Sequence, residues 1–217
     1  MVVELFGIPG SGKSTLAAAA AKKVEFATRG DVSGQWARRN AFMKFSALAG
    51  WHARPSRSVL VLRFAIAARI TSIQSWKRLS KLLAKSRRLR SARAPVLLDQ
   101  GLLQDLWSIL YASRKTRIDP RLAVPLIRLL YEGIDARIVY VEIDPEIASA
   151  RIASRPHGNS RLDGLESRAI EEGLVRAHAL PAALVAAAQQ AGIPVQFVDG
   201  SRPTQTVADA IAAIFWK

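Results

Sequence analysis

The sequence predicts an α/β fold: a parallel sheet of about five strands with helices on both faces. Two observations carry this prediction. Short, uninterrupted apolar runs alternate with longer helical segments along the 217 residues, and such runs are typical of strands buried on both faces. A glycine-rich loop also joins the first apolar run directly to the first helix. Strands separated by helices form parallel sheets, so a layered architecture around a central sheet follows.

The predicted strands are short and mostly apolar. They cover residues 2–6, 24–29, 95–98, 137–143 and 195–198. In sheets of this type, ligands lie beyond the carboxyl ends of the strands. The chain from Gly7 onward, the pair Thr28-Arg29, Asp99 and the pair Asp199-Gly200 all fall at such ends. These residues are therefore expected to share one site.

The predicted helices separate the strands and differ in polarity. They cover residues 16–23, 33–50, 56–73, 75–90, 102–113, 120–132, 148–155, 165–191 and 204–215. The helix over 56–73 is largely apolar, whereas the helix over 75–90 has leucines on one face and cations on the other. Pro145 stands at a helix start, where its missing N–H costs little. Residues 1–217 are expected to form a single domain.

The loop after the first strand reads GIPGSGKST over residues 7–15 and fits the pattern G-x-x-x-x-G-K-[ST]. Glycines let the backbone point several N–H groups at one set of phosphate oxygens, and the following helix adds its positive dipole end. Lys13 is expected to reach the β- and γ-phosphates of a nucleoside triphosphate, and the Ser14 hydroxyl to bind Mg²⁺. The residues expected to contact the triphosphate are Gly7, Pro9, Gly10, Ser11, Gly12, Lys13, Ser14 and Thr15. The expected fold is therefore the three-layer P-loop NTPase fold.

The positive charge of the chain is concentrated in one segment. The formal net charge is +15. Residues 32–98 contain no Asp or Glu, and fifteen Lys and Arg residues lie between Arg38 and Arg93. The excess charge thus belongs to a predicted helical insert at about residues 32–94. Such a field attracts anions, so phosphorylated substrates, anionic lipid surfaces and nucleic acid are candidate partners; a solvated face without a specific partner is the alternative.

Two absences in the sequence narrow the class of protein. The chain has no cysteine, which excludes disulfides, thiolate metal sites and a cysteine nucleophile. No apolar run reaches the length of a membrane-spanning helix, and no apolar leader segment precedes the first strand. We therefore expect a cytoplasmic protein.

Asp99 directly follows the apolar run at 96–98. An acid at this end of a strand, next to a phosphate loop, can hold Mg²⁺ or one of its waters. It can equally accept a proton from a substrate hydroxyl. A turn-capping role before Gly101 is the plainer alternative, because Asp favours turns. The sequence leaves these roles open.

Three arginines form a second candidate group. Arg151 and Arg155 are four residues apart on a predicted helix, hence on one face, and Arg161 lies in the polar loop that follows. Phosphoryl transfer spreads negative charge over the oxygens of the transferred group, and arginines from a closing loop stabilise that charge. A solvated basic face is the alternative interpretation.

The order of these motifs resembles the thymidylate kinase-like group of nucleoside and nucleotide kinases. The motifs that carry the resemblance are the P-loop, Thr28-Arg29, Asp99, IDPE at 143–146, Arg151-x-x-x-Arg155, Ser160-Arg161 and VDGS at 198–201. The resemblance implies a kinase that uses ATP and Mg²⁺, with a lid at about residues 151–164 over ATP. It also implies that the loop with Gly200 and Arg202 packs on the adenine. The expected catalytic residues are Lys13, Asp99, Arg151, Arg155 and Arg161.

The sequence also departs from that group. Gln100 follows Asp99 where thymidylate kinases usually have an arginine that holds the substrate phosphate, and a neutral amide cannot form the charged bidentate pair. We therefore expect phosphoryl transfer from ATP to another anionic or phosphorylated small molecule: a nucleotide, a nucleoside, or a sugar or envelope precursor. The alternative is a nucleotide-dependent binding module for nucleic acid or an anionic membrane surface. A homodimer is compatible with either hypothesis.

Overall fold

The computed structural model describes residues 1–24, 28–29, 55–113, 115, 117–154 and 180–216. The strands are β1 (Val2–Phe6), β2 (Thr28–Arg29), β3 (Val96–Leu98), β4 (Ala136–Glu142) and β5 (Val195–Asp199). The helices are α1 (Lys13–Ala21), α2 (Pro55–Ala67), α3 (Ile73–Leu89), α4 (Leu102–Ala112), α5 (Pro120–Tyr131), α6 (Pro145–Ala153), α7 (Pro181–Gln190) and α8 (Thr204–Ala212). A short 3₁₀ helix, Ala213–Trp216, follows α8.

β1 lies at the centre of the sheet, and every strand pair is parallel. The order is β2-β3-β1-β4-β5. Four of these strands have three to seven residues, and the two-residue β2 pairs with β3 at the edge. In the register of the sheet, Glu4 lies opposite Leu98 on one side and Ile138 on the other. The predicted parallel sheet flanked by helices is confirmed.

Side chains of β1 alternate between two apolar cores, one on each face of the sheet. Val2 and Phe6 pack on the side of α2, α3, α4, α5 and α7, whereas Val3 and Leu5 pack on the side of α1 and α8. Glu4 falls between Val2 and Phe6 and therefore faces the first core. A buried carboxylate in this position needs hydrogen-bond donors from the helices that cover it.

Some predicted elements lie outside the described residues. They are the helix over 33–50, the lid beyond residue 154, and the first part of the helix over 165–191. The described part of the predicted basic insert contains α2 and α3. Within the described ranges, no helix is both long enough and apolar enough to cross a membrane.

The predicted helix over 56–73 is wrong at its carboxyl end, because α2 ends at Ala67. Arg69 has a left-handed backbone with φ of 52°. Its N–H donates to the Ile66 carbonyl, and the N–H of Ile70 donates to the Ala65 carbonyl. This double hydrogen bond is the Schellman motif that ends helices, here without the usual glycine. Helical periodicity alone therefore missed the break.

A serine begins the next helix after this break. The hydroxyl of Ser72 accepts a hydrogen bond from the N–H of Ser75 at 3.1 Å and caps α3. Such caps stabilise a helix by about 1 kcal/mol. Five residues thus separate α2 from α3, and Ile70 among them is buried.

Replacing Arg69 with glycine is expected to stabilise the protein, because glycine adopts the left-handed conformation without the steric cost of a side chain. We expect the free energy of unfolding to rise by about 0.5–1 kcal/mol. Arg63→Gly is the matched control, since the same change inside α2 should lower that free energy by about 1 kcal/mol. Urea denaturation measures both. Equal effects of the two changes would show that the conformation of Arg69 does not govern the end of α2.

Candidate functional site

Several of the predicted site residues lie at the carboxyl-terminal edge of the sheet. The glycine-rich loop at residues 7–12 follows β1, Asp99 follows β3, and Gly200 follows β5. The N–H of Gly200 donates to the Glu142 carbonyl at 2.7 Å. A Cβ atom at Gly200 would lie 3.3 Å from the Ser11 carbonyl oxygen. The loop after β5 therefore contacts the glycine-rich loop.

The glycine-rich loop has the backbone that its sequence predicts. Gly10 and Gly12 both adopt left-handed conformations, with φ of 85° and 83°. A Cβ atom at Gly10 would also lie 2.5 Å from the Ala148 carbonyl oxygen of α6, so no side chain fits there. Gly12 forms the N-cap of α1 without a side-chain hydrogen bond. Glycine has no side chain that could cap the first N–H groups of α1. A helix end that binds phosphate requires such N–H groups to be left for the ligand.

The side chain of Lys13 lies across this loop. Its Nζ donates to the carbonyls of Gly7 and Ile8, each at 2.8 Å, and to the Ser11 hydroxyl at 3.2 Å. These contacts hold the ammonium group over the loop in which the phosphates are expected. Ser14 and Thr15, in the first turn of α1, are exposed, whereas Ser11 is buried and Pro9 is half-buried.

Arg151 links α6 to two loops of the site. Its Nη1 donates to the Gly200 carbonyl at 3.1 Å, and it lies 3.6 Å from the position of a Cβ atom at Gly12. A guanidinium group at this point faces the amino-terminal end of α1, where an anion is expected. The structure therefore brings Arg151 together with the P-loop residues. Arg155 and Arg161 lie outside the described residues.

Arg202 is mostly exposed and turns back on its own loop. Its Nε lies 3.6 Å from Asp199 Oδ2. Asp199 also accepts hydrogen bonds from the N–H and hydroxyl of Ser201, at 2.8 and 2.6 Å. The Ser201 hydrogen bonds lower the pKa of the Asp199 carboxyl group, and Arg202 adds to that effect. These contacts fix the shape of the loop after β5.

Asp99 is half-buried at the end of β3 and is followed by the exposed Gln100. The loop is held from the basic segment, because Lys85 of α3 donates from Nζ to the Gln100 carbonyl at 2.8 Å. The same ammonium group pairs with Asp105 Oδ2 at 2.7 Å. One cation of the basic segment thus positions the chain on both sides of the start of α4.

Sequence reasoning missed a buried carboxylate beneath the site. Glu4 of β1 is only 1% exposed. It accepts hydrogen bonds from the N–H groups of Leu102, Leu103 and Gln104, at 2.8, 2.7 and 3.2 Å. The Tyr131 hydroxyl donates a fourth at 2.6 Å. Glu4 of β1 thus caps the amino terminus of α4, although the two are far apart in the sequence. The sequence signals this role only by placing one acid inside an apolar run.

Gln104 was also missed, and it connects α4 to the glycine-rich loop. Its Oε1 accepts a 3.4 Å hydrogen bond from the N–H of Gly7, and its side chain is buried. A Cβ atom at Gly101, just before α4, would overlap the Glu4 carboxylate. Only glycine therefore allows the helix to approach β1 this closely. The loop that contains Asp99 is tied to the P-loop through Glu4 and Gln104.

Burial raises the pKa of the Glu4 carboxyl group. The hydrogen bonds from Tyr131 and the N–H of Gln104, and the charge of Lys85, act in the opposite direction but are weaker. Burial and the neighbouring Glu4 charge together raise the pKa of Tyr131 well above its usual value. Tyr131 therefore remains a hydrogen-bond donor over the whole working range of pH.

The sequence matches no protein-family model and no curated protein significantly. Its fold is similar to those of solved structures, including two named as kinases. Deoxyadenosine kinase from M. mycoides with bound dATP shares 18% identity at a TM-score of 0.52, over 100% of both chains. YorR protein from Bacillus subtilis, in complex with phosphorylated GDP, shares 16% at 0.53, over 100% of this chain and 96% of that one. Shikimate kinase from Bacteroides thetaiotaomicron shares 11% at 0.54, over 100% and 99%. These similarities show a P-loop kinase-like fold.

Replacing Glu4 with glutamine is expected to lower the free energy of unfolding by about 1–3 kcal/mol, because an amide nitrogen would face backbone donors. Tyr131→Phe, which removes one of the four donors, should cost about 1 kcal/mol. Glu142→Gln, the same change at an exposed acid, should stay within about 0.5 kcal/mol. Urea denaturation at neutral pH measures all three. A Glu4→Gln variant as stable as Glu142→Gln would contradict the capping role.

The same variant reports the pKa of Glu4. Because the folded pKa lies above the unfolded value of 4.5, the folded state binds the proton more tightly. The contribution of Glu4 to stability is full below pH 4.5 and is lost as the pH rises through the folded pKa. The difference in unfolding free energy between the unmodified protein and Glu4→Gln should therefore shrink across that window. A difference that grows would show that hydrogen bonding outweighs burial.

Proposed function

We propose that this chain is a phosphotransferase that moves the γ-phosphoryl group of ATP to a small anionic or phosphorylated acceptor. One observation carries the proposal: Lys13 spans the glycine-rich loop while Arg151 lies between that loop and Gly200. Two cations thus converge on backbone that is shaped to bind phosphate. The kinase names of the structural neighbours support the reaction class.

The donor half of the proposed site contains the P-loop residues and two oxygen ligands. The exposed Ser14 hydroxyl and the half-buried Asp99 carboxylate are hard oxygen donors of the kind that Mg²⁺ prefers. They stand after neighbouring strands, and Mg²⁺ usually takes one or two protein ligands together with substrate phosphates. Ser14 and Asp99 are therefore the residues that would hold it. When bound, Mg²⁺ neutralises the charge that develops on the phosphates.

In the proposed reaction, an acceptor oxygen forms a bond to the γ-phosphorus while the bond to the β–γ bridging oxygen breaks, and ADP leaves. Lys13 and Arg151 stabilise the negative charge on the transferred oxygens. Arg155 and Arg161 are proposed to add to this charge compensation. If the acceptor is a hydroxyl group, its proton passes to Asp99 or to solvent. Gly200 and Arg202 are proposed to contact the adenine.

The acceptor half is proposed to lie towards the basic segment that precedes β3. This segment carries no acid between residues 32 and 98, which favours an anionic acceptor. Within the thymidylate kinase-like group, Gln100 argues against thymidylate, because its amide lacks the charge that would hold a substrate phosphate. A nucleotide, a nucleoside, and a sugar or envelope precursor are the acceptor classes that we propose. Binding to nucleic acid, a homodimer and a cytoplasmic location stay predictions from the sequence.

Lys13→Ala is expected to lower kcat/KM for ATP-dependent phosphoryl transfer by about 10²- to 10³-fold. The reason is that the negative charge on the transferred phosphoryl group would no longer be stabilised by the Lys13 ammonium group. Lys23→Ala provides a control with the same charge change. Lys23 pairs with Asp209 of α8 in an exposed contact, which is worth at most about 1 kcal/mol. ADP release with a panel of acceptors measures the rate. Equal turnover by the two variants would refute the assignment of Lys13.

Arg151→Ala is expected to reduce kcat/KM by about 10- to 100-fold, since it removes a charged hydrogen-bond donor beside the P-loop. Arg151→Lys should recover only part of this loss, because lysine lacks the planar fork of donors. Arg128→Ala is the control, as Arg128 is an exposed residue of α5 that donates a weak 3.5 Å hydrogen bond to the Gln190 carbonyl. Initial-rate kinetics with varied ATP compare the three. A full rescue by lysine would show that charge alone is needed.

A further inference from the structure

We propose that α2 and α3 carry a docking surface for anionic lipid membranes. This α2–α3 surface consists of Val59, Leu62, Ile66, Ile73 and Trp76, together with the cations Arg63, Arg69, Lys77 and Lys81. It includes no P-loop residue and goes beyond the proposed phosphotransfer. It also makes membrane contact compatible with an enzyme instead of an alternative to one.

The apolar half of the α2–α3 surface is unusual for an exposed helix. Among the described residues, eight large hydrophobic side chains are exposed, and five of them lie between positions 59 and 76, at 40–71% exposure. Val59, Leu62 and Ile66 follow helical spacing and share one face of α2. The other face of the same helix is also apolar and packs into the core through Val61 and Phe64. Polar residues normally cover the outward face of such a helix.

The cationic half lies between and beside these apolar side chains. Arg63 stands on the exposed face of α2, Arg69 in the turn, and Lys77 and Lys81 on α3. Each of the four is exposed, and none forms an ion pair with another described residue.

Other cations of the same segment are used inside the protein. Arg57 and Arg90 both pair with Glu132, and Lys85 pairs with Asp105. Those contacts attach the segment to α4 and to the end of α5. The cations of the α2–α3 surface differ from these, because they are exposed and form no ion pair with another described residue. We propose that their charge attracts an external anion.

The combination of apolar and cationic side chains indicates which partner binds the α2–α3 surface. At an anionic membrane, the apolar side chains enter the acyl boundary while Lys and Arg remain at the headgroups. Nucleic acid would match the cations but leave the aliphatic side chains of α2 without a partner. A second copy of this chain would cover the aliphatic side chains but bring like charges together across a two-fold interface. An anionic lipid membrane can contact both the apolar and the cationic side chains of the surface.

The surface is connected through α3 to the loop that contains Asp99. Trp76 and Lys85 are nine residues apart on this helix, which corresponds to about 14 Å along its axis. Lys85 holds the Gln100 carbonyl next to Asp99. A membrane bound at the start of α3 would thus lie within the length of one helix from the loop that contains Asp99.

Co-sedimentation of the full chain with vesicles tests the proposal. We expect binding to phosphatidylcholine vesicles that contain about one-third phosphatidylglycerol, weak binding to pure phosphatidylcholine, and weaker binding as salt rises from about 0.1 to 0.5 M. The paired change Leu62→Ser with Ile66→Ser keeps the charge and should reduce affinity about tenfold. Lys77→Gln with Lys81→Gln should reduce it by a similar factor. Ile147→Ser, at an exposed isoleucine of α6, should bind like the unmodified protein.

Several results would overturn this proposal. Absence of binding to the anionic vesicles is one. Normal vesicle binding by the Leu62→Ser, Ile66→Ser variant would show attraction by charge alone. A dimer in analytical ultracentrifugation that this variant dissociates would make a second copy the occupant. Lys13→Ala should bind vesicles normally, so failure of vesicle binding and failure of the proposed phosphotransfer are distinguishable.

Discussion

The Glu4 carboxylate is the contact through which the central strand, the start of α4 and α5 are held together. Burying a carboxylate is costly unless its oxygens are satisfied, and here three backbone N–H groups and one hydroxyl satisfy them. The backbone donors belong to the first turn of α4, where N–H groups otherwise lack partners. The helix therefore provides the donors that the buried carboxylate needs, and the carboxylate provides the acceptors that the first N–H groups of the helix lack. That mutual dependence fixes α4 against β1 more specifically than apolar packing would.

The geometry of the site follows from this contact. β1 leads directly into the glycine-rich loop, while α4 begins directly after Asp99, Gln100 and Gly101. A strand and a helix that share Glu4 therefore set the separation of the loops attached to them. Gln104 and Lys85 reinforce the arrangement from either side, through Gly7 and Gln100. The role proposed for Asp99 needs a position held within a fraction of an ångström, and these polar contacts restrict the loop that contains Asp99.

Much of the fold could be predicted because its signals are local. The P-loop motif, the apolar strands and the helix starts at Asp119-Pro120 and Asp144-Pro145 each depend on a few adjacent residues; both aspartates cap their helices. Arg69 could not be predicted, because a left-handed arginine has no local signature. Glu4 could not be interpreted either, since its partners are about a hundred residues away in the sequence. Arg151 was predicted as a site residue, but its contact with Gly200 joins α6 to the loop after β5, which is distant in the sequence.

The basic segment shows how a single compositional bias can serve two physical purposes. An acid-free stretch cannot neutralise itself, so its inward cations need acids from elsewhere in the chain; Glu132 and Asp105 provide them. Those pairs are partly shielded from solvent and attach α2 and α3 to the rest of the fold. Arg63, Arg69, Lys77 and Lys81 form no ion pair with another described residue, and the field of an exposed charge extends about a Debye length from the surface. Some of the charge that is not paired within the described residues lies beside the exposed apolar side chains of α2 and α3. The start of α3 presents this combination on the same helix whose Lys85 holds the loop that contains Asp99.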